Sequence, residues 1–136
     1  MNNKLLLSWI LSGFIFIIGG IDEPVLILLC VMSIDWMMGV FTGIVGKSNK
    51  TSDGRLSSLA GFNGLLKKAA IILIVCVAYQ LERVSGFSGA RDVVIVAFIC
   101  NESLSIIENA GIMGIPIPKS IKNIITALQE KEGGSE

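Results

Sequence analysis

VLILLCVMSIDWMMGVFTGIVG, residues 25–46, carries a single charge, Asp35, in an otherwise apolar and small-residue run. About 20 helical residues cross the roughly 30 Å hydrocarbon layer of a bilayer. Eleven Leu, Ile, Val and Phe side chains here give roughly −5 kcal/mol of insertion free energy, against about +3 kcal/mol for one central acid. The stretch therefore reads as a transmembrane helix that tolerates a buried carboxyl.

Other stretches of the same kind lie on either side. Leu5 to Ile21 is apolar after Lys4, and no A-x-A-like cleavage site ends it, so it is expected to be retained. Asp22-Glu23-Pro24 separates it from the central stretch. Lys47 to Lys68 is a polar connector rich in Ser, Gly and Lys. Ala69 to Leu81 is a third apolar run, which Lys67 and Lys68 can lengthen by snorkelling to the membrane surface. Glu82 to Asp92 is a second break, and Val93 to Ile107 a fourth apolar run. That fourth run is near break-even: nine strongly apolar residues, roughly −4 kcal/mol, stand against Glu102, Asn101 and two serines.

Loop charge decides in favour of four spans. With four, Lys4, Lys47, Lys50, Arg55, Lys67, Lys68, Lys119, Lys122 and Lys131 share one side, and only Arg83 and Arg91 lie on the other. With three, the bias falls to six against five. Positive charge favours the cytoplasmic side, so both termini are expected there. The expected architecture is all-α: an oligomeric integral membrane protein with four transmembrane helices and a C-terminal amphipathic helix. The membrane domain is 1–112, with helices at about 5–21, 25–46, 69–84 and 93–109 and a cytoplasmic connector at 47–68. The cytoplasmic tail is 113–136.

In that tail, Ile121, Ile124, Ile125 and Leu128 make an apolar stripe at offsets of 3, 4 and 7, with Lys119, Lys122, Asn123 and Gln129 elsewhere on the wheel. Pro118 suits the first position of a helix. The pattern predicts an amphipathic helix over about 118–131, lying on the inner membrane face or against another cytoplasmic element.

The composition argues against several function classes. Net formal charge is zero and there is no His, so neither a nucleic-acid partner nor the usual general base is indicated. Cys30, Cys76 and Cys100 each sit in an apolar run without a CxxC pair, and read as small apolar filler. No Ser–His or Cys–His pair, P-loop or metal-ligand cluster is present. The expectation is a non-enzyme without cofactor or metal.

Ionisable groups at membrane depth are the residues to follow. Asp35 heads a stripe with Gly39, Thr42, Gly43 and Gly46 on one helix face. Gly39 and Gly43 form a G-x-x-x-G pair that permits close backbone approach. The face either packs inside the bundle, contacts another subunit or lines water. Glu102 and Ser105 form a polar stripe on the fourth run and should face helices or water rather than lipid. Glu108 and Asn109 are expected at the membrane interface. Burial disfavours a charged carboxyl, so Asp35 and Glu102 are expected to be protonated or paired while buried, and to ionise when assembly admits water.

The run NESLSIIENAG at 101–111, followed by GIPIPK at 114–119, resembles the hallmark of the toxin-secretion/phage-lysis holin family. DWMMG at 35–39 is similar to that family's D-x-x-x-G segment, and Ser57, Ser58, Gly61, Gly64, Lys67 and Lys68 are similar to its connector. The resemblance covers about residues 13–131. It implies a holin that oligomerises in the bacterial cytoplasmic membrane and forms lesions for endolysin or toxin release. Its partners would be the bilayer, other copies of itself, and functionally an endolysin or exported toxin. The implied motif positions are Asp35, Gly39, Glu102, Ser105, Glu108, Asn109, Pro116 and Pro118. Two other classes remain open on the residues alone. One is a small transporter or channel using Asp35 and Glu102; the other is a non-lytic membrane component of a secretion apparatus.

Overall fold

A computed structural model describes residues 2–133, and within them the side chains of residues 125, 128, 129 and 131–133 are not described. The described residues are helical, without strands. The helices are α1 (Asn3–Ile18), α2 (Glu23–Ile44), α3 (Ser58–Ser85), α4 (Ala90–Ile112) and α5 (Lys119–Gly133).

Local chemistry sets the helix ends. Asp22 lies in extended conformation and its carboxylate accepts from Val25 N–H, with Glu23 and a proline in the first turn of α2. The residues read as a break are thus a helix start of the usual kind: side-chain cap, acid at the positive end of the dipole, proline where no N–H is needed. Ser57 caps α3 by accepting from Ala60 N–H. Gly19 ends α1 at φ 88°, and a Cβ there would fall 2.7 Å from the Tyr79 ring. Both the left-handed backbone and the close aromatic demand glycine at this turn.

One boundary differs greatly from the sequence expectation. The third helix begins at Ser58, not near 69, so half of the expected connector is helical. At 1.5 Å per residue its 28 residues extend about 42 Å, beyond the hydrocarbon thickness. Gly61, Gly64 and the paired lysines dilute the hydropathy of this segment. Its first turns are nevertheless held by tertiary contact, because the Trp36 indole N–H donates to Gly61 O at 3.2 Å.

Three helices, α2, α3 and α4, are long and apolar enough to cross a membrane; α1 is apolar but only 16 residues long. The burial pattern is the reverse of a soluble bundle. Asp35, Arg91, Glu102 and Asn109 are all under 8% exposed, whereas Leu73, Val77 and Leu81 are more than half exposed. Lipid is as apolar as leucine, so apolar residues face outward and polar ones pair within.

The apolar core joins Ile18, Val25, Leu28, Met32, Ile71, Val75, Cys76 and Ile95. Cys100 is also buried, while Cys30 is exposed. The central helix is α4, which packs against α2, α3 and α5, with its most extensive contact on α2. The helix with the weakest insertion energy therefore shares the most extensive helix–helix contact of the bundle.

Beyond Gly114 the chain passes Pro116 and Pro118, both exposed, into α5. Ile121 and Ile124 flank an apolar groove with Ser103, Ile106 and Ile107 of α4, so α5 lies along α4. Ile125 and Leu128 of the predicted apolar stripe fall among the side chains not described. Lys119 and Lys122 are exposed.

Candidate functional site

Two polar clusters hold the bundle, one at an end and one in its interior. At the end formed by the α1–α2 and α3–α4 turns, Arg91 opens α4 and is 6% exposed. Its Nε donates to Ile18 O at 2.8 Å and its Nη2 to Gly20 O at 3.2 Å. Its two terminal nitrogens grip the Asp22 carboxylate at 2.7 and 2.9 Å. Glu82 accepts from the Arg91 backbone N–H at 3.1 Å. Gln80 donates to Ile17 O at 2.8 Å, and Arg83 lies 5.1 Å from the Phe16 ring centroid. The Arg91 hydrogen bonds hold the Asp22 carboxyl below its ordinary value. Four helix ends are thereby clasped together, which fixes both turns at one end of the molecule and the 45–57 connector at the other.

The second cluster lies inside the bundle. Asp35 on α2, Lys68 on α3 and Glu102 on α4 each sit about three turns from the start of their own helix. The Lys68 ammonium donates to Asp35 Oδ2 at 2.8 Å and also to Glu102 Oε2. Asn109, two turns beyond Glu102 on the same face of α4, donates to Asp35 Oδ1 at 3.4 Å. The lysine side chain is 12% exposed and each carboxylate side chain 9%. Among the described residues, no buried side-chain nitrogen or oxygen lacks a partner, as a low-dielectric interior requires. Beside the cluster is a cavity of about 340 Å³, lined also by Lys50, Lys67, Asn101, Ser105 and Glu108.

The positions singled out in the sequence are distributed unevenly around this site. Asp35, Glu102 and Ser105 meet at the cavity. Asn109, expected at the membrane interface with Glu108, is instead 3% exposed and bonded to Asp35; Glu108 is exposed. Lys68, expected to snorkel beside Lys67, turns inward as the partner of both acids, while Lys67 is exposed. Were the ammonium to snorkel, two buried carboxylates would be left without their cation, which a low-dielectric interior strongly disfavours.

The small-residue stripe meets the connector rather than another helix. A Cβ at Gly43 would lie 3.0 Å from Leu56 Cα, and one at Gly39 would lie 3.3 Å from the Lys50 ammonium. Thr42 is 2% exposed and its hydroxyl donates to Gly39 O at 2.8 Å. Gly46 lies at the end of the stripe, exposed, with φ 69°. In the sequence Arg91 has only the character of a loop charge. Its single local signal is a basic residue immediately before an apolar run, and its partners Ile18 and Asp22 lie about 70 residues away.

A helical bundle that exposes leucine and buries paired charges is an integral membrane protein by its own chemistry. Comparison with known proteins places it more narrowly: the bacteriophage holin family matches residues 12–130, and the chain belongs to that family. An uncharacterized protein of Listeria innocua is 35% identical over 126 residues, covering 91% of this chain and 83% of the relative. An uncharacterized 14.9 kDa protein in the nagH 3' region of Clostridium perfringens is 32% identical, covering 88% and 86%. The uncharacterized protein YqxH of Bacillus subtilis is 32% identical, covering 87% and 80%. No solved structure matches the chain.

Proposed function

We propose that the chain is a holin that accumulates in the bacterial cytoplasmic membrane, oligomerises there and opens lesions that release an endolysin or an exported toxin. The observation that carries this reading is the Asp35–Lys68–Glu102 cluster, buried among three helices of spanning length in a chain of the holin family. Charges at membrane depth are retained where they serve a passage or a conformational change. A purely structural contact between these helices needs only apolar or small residues.

Four spans with both termini cytoplasmic fit the clasp at Arg91, which draws the two turns to one end. The α1 helix would then cross at about 24 Å with local thinning of the bilayer. With Lys68 inside the bundle and Arg91 paired, eight basic residues remain on the cytoplasmic side and Arg83 opposite. The orientation bias of the sequence persists.

Inducible expression together with a cytoplasmic endolysin tests the proposal. The expected result is normal growth followed by abrupt lysis, with passage of the endolysin to the wall. Continued growth while the protein is abundant in the membrane fraction would refute it. Substrate-dependent flux without lysis would favour a transporter instead, and a stable partner complex without leakage would favour a secretion component.

A further inference from the structure

We infer that Lys68 is the positioning residue that keeps the α2–α3–α4 bundle closed before lysis, by bridging the Asp35 and Glu102 carboxylates with one ammonium. This inference rests on the proposed function and extends it to a residue whose charge was expected at the membrane surface.

One ammonium, with its side chain 12% exposed, bridges carboxylates from two other helices. Among the described residues, no second cation shares the burial of the cluster. Lys50 on the connector and Lys67 on α3 line the adjoining cavity and are exposed, as is Glu108 on α4. In a low-dielectric interior a paired charge is strongly held, and an unpaired one is strongly disfavoured. In water the same pair contributes little and each group is hydrated separately.

The cluster therefore has two acceptable conditions: dry and paired, or wet and apart. The dry, separated condition between them is unfavourable, and that makes a barrier. The cavity brings polar surface to the three charges from one side, so water entering there weakens the pairing it reaches. Opening is abrupt because pairing and hydration exclude one another. Removing Lys68 alone leaves two carboxylates without their cation and destroys the closed condition. Neutralising all three groups keeps the closed packing and removes the gain from hydration.

Trp36 reports the closed state directly, because its indole joins α2 to Gly61 of α3. With Trp9→Phe, Trp36 is the remaining tryptophan. Its emission is measured in phosphatidylglycerol/phosphatidylethanolamine vesicles, and lysis onset is timed in cells at matched membrane abundance. Lys68→Met should shift emission to longer wavelength and advance lysis. Lys68→Arg, which keeps a cation able to fork between two carboxylates, should retain both wild-type values. The triple variant Asp35→Asn, Lys68→Met, Glu102→Gln should keep the short-wavelength emission and delay lysis.

Unchanged emission and timing in Lys68→Met overturns the inference. So does a triple variant that behaves like Lys68→Met, since lost packing rather than charge would then be the cause. If Lys68→Met does not accumulate, accumulation of the triple variant supports charge pairing and its absence refutes it. If the wild type causes no lysis, the holin reading fails, while the emission shift still decides whether Lys68 closes the bundle.

Discussion

Replacing Arg91 with methionine should loosen α1 from the bundle without unfolding α2, α3 and α4. The side chain makes two hydrogen bonds to backbone carbonyls, Ile18 O and Gly20 O, and a bidentate pair with Asp22. Hydrogen bonds involving a charged group contribute about 1.5–3 kcal/mol each when well buried. The Asp22 side chain is 46% exposed, so its share is discounted towards the surface-pair value of about 0–1 kcal/mol. Methionine restores much of the apolar stem packing. The Ile18 bond is buried and counts in full, whereas the Gly20 bond is only part-buried and is discounted like the pair, so the net local loss is about 2–3 kcal/mol, a shift of roughly 30- to 150-fold in the opening equilibrium.

Hydrogen–deuterium exchange in detergent micelles reads that equilibrium segment by segment. Protection of residues 16–22 should fall by that factor, while the α2–α4 segment around Asp35 and Glu102 changes little. The reasoning fails if residues 16–22 keep their protection, or if protection falls evenly along the whole chain. The first outcome would mean that Tyr79 packing against Gly19 holds the turn unaided. The second would mean that the clasp is part of one cooperative unit with the interior cluster.

Two further outcomes follow from particular contacts. Because Arg91 lowers the Asp22 pKa from its ordinary 3.8, the carboxylate's contribution is fully present above that value and is lost as pH falls through the lower folded pKa. Protection of residues 16–22, corrected for intrinsic exchange, should be flat from about pH 7 to 5 and drop below about pH 4. The pH-dependent drop should be absent in Asp22→Asn. Gly43→Leu should displace the connector, because the new Cβ would lie only 3.0 Å from Leu56 Cα and the rest of the side chain has to push past it. Overpacking costs of about 1–3 kcal/mol should appear as faster tryptic cleavage at Lys47, Lys50 and Arg55 in micelles, and an unchanged cleavage rate would show that the face is not closed by the loop.

The interior cluster illustrates how far local reading reaches. Asp35 and Glu102 stand out in the sequence because each interrupts an apolar run, and isolated acids in such runs demand partners. Lys68 does not stand out, because it adjoins Lys67 and a polar segment and has the ordinary appearance of a lysine at a helix end. The same limit applies to Asn109, which shares its neighbourhood with exposed Glu108. Neighbours in sequence lie 100° apart on a helix, so one can face the bundle while the other faces outward.

The sequence by itself determined that this chain is helical and belongs in a membrane, because hydropathy and helical period are summed along a single segment. It also determined the family, through the long motif between Asn101 and Lys119. Only the tertiary structure decided which charge neutralises which. Lys68 joins Asp35 and Glu102 from 33 and 34 residues away, and Arg91 reaches Asp22 across 69. Electrostatic pairing at low dielectric depends on separations of a few ångströms in space. Those separations are set by how α2, α3 and α4 pack, and no periodicity within one helix encodes them.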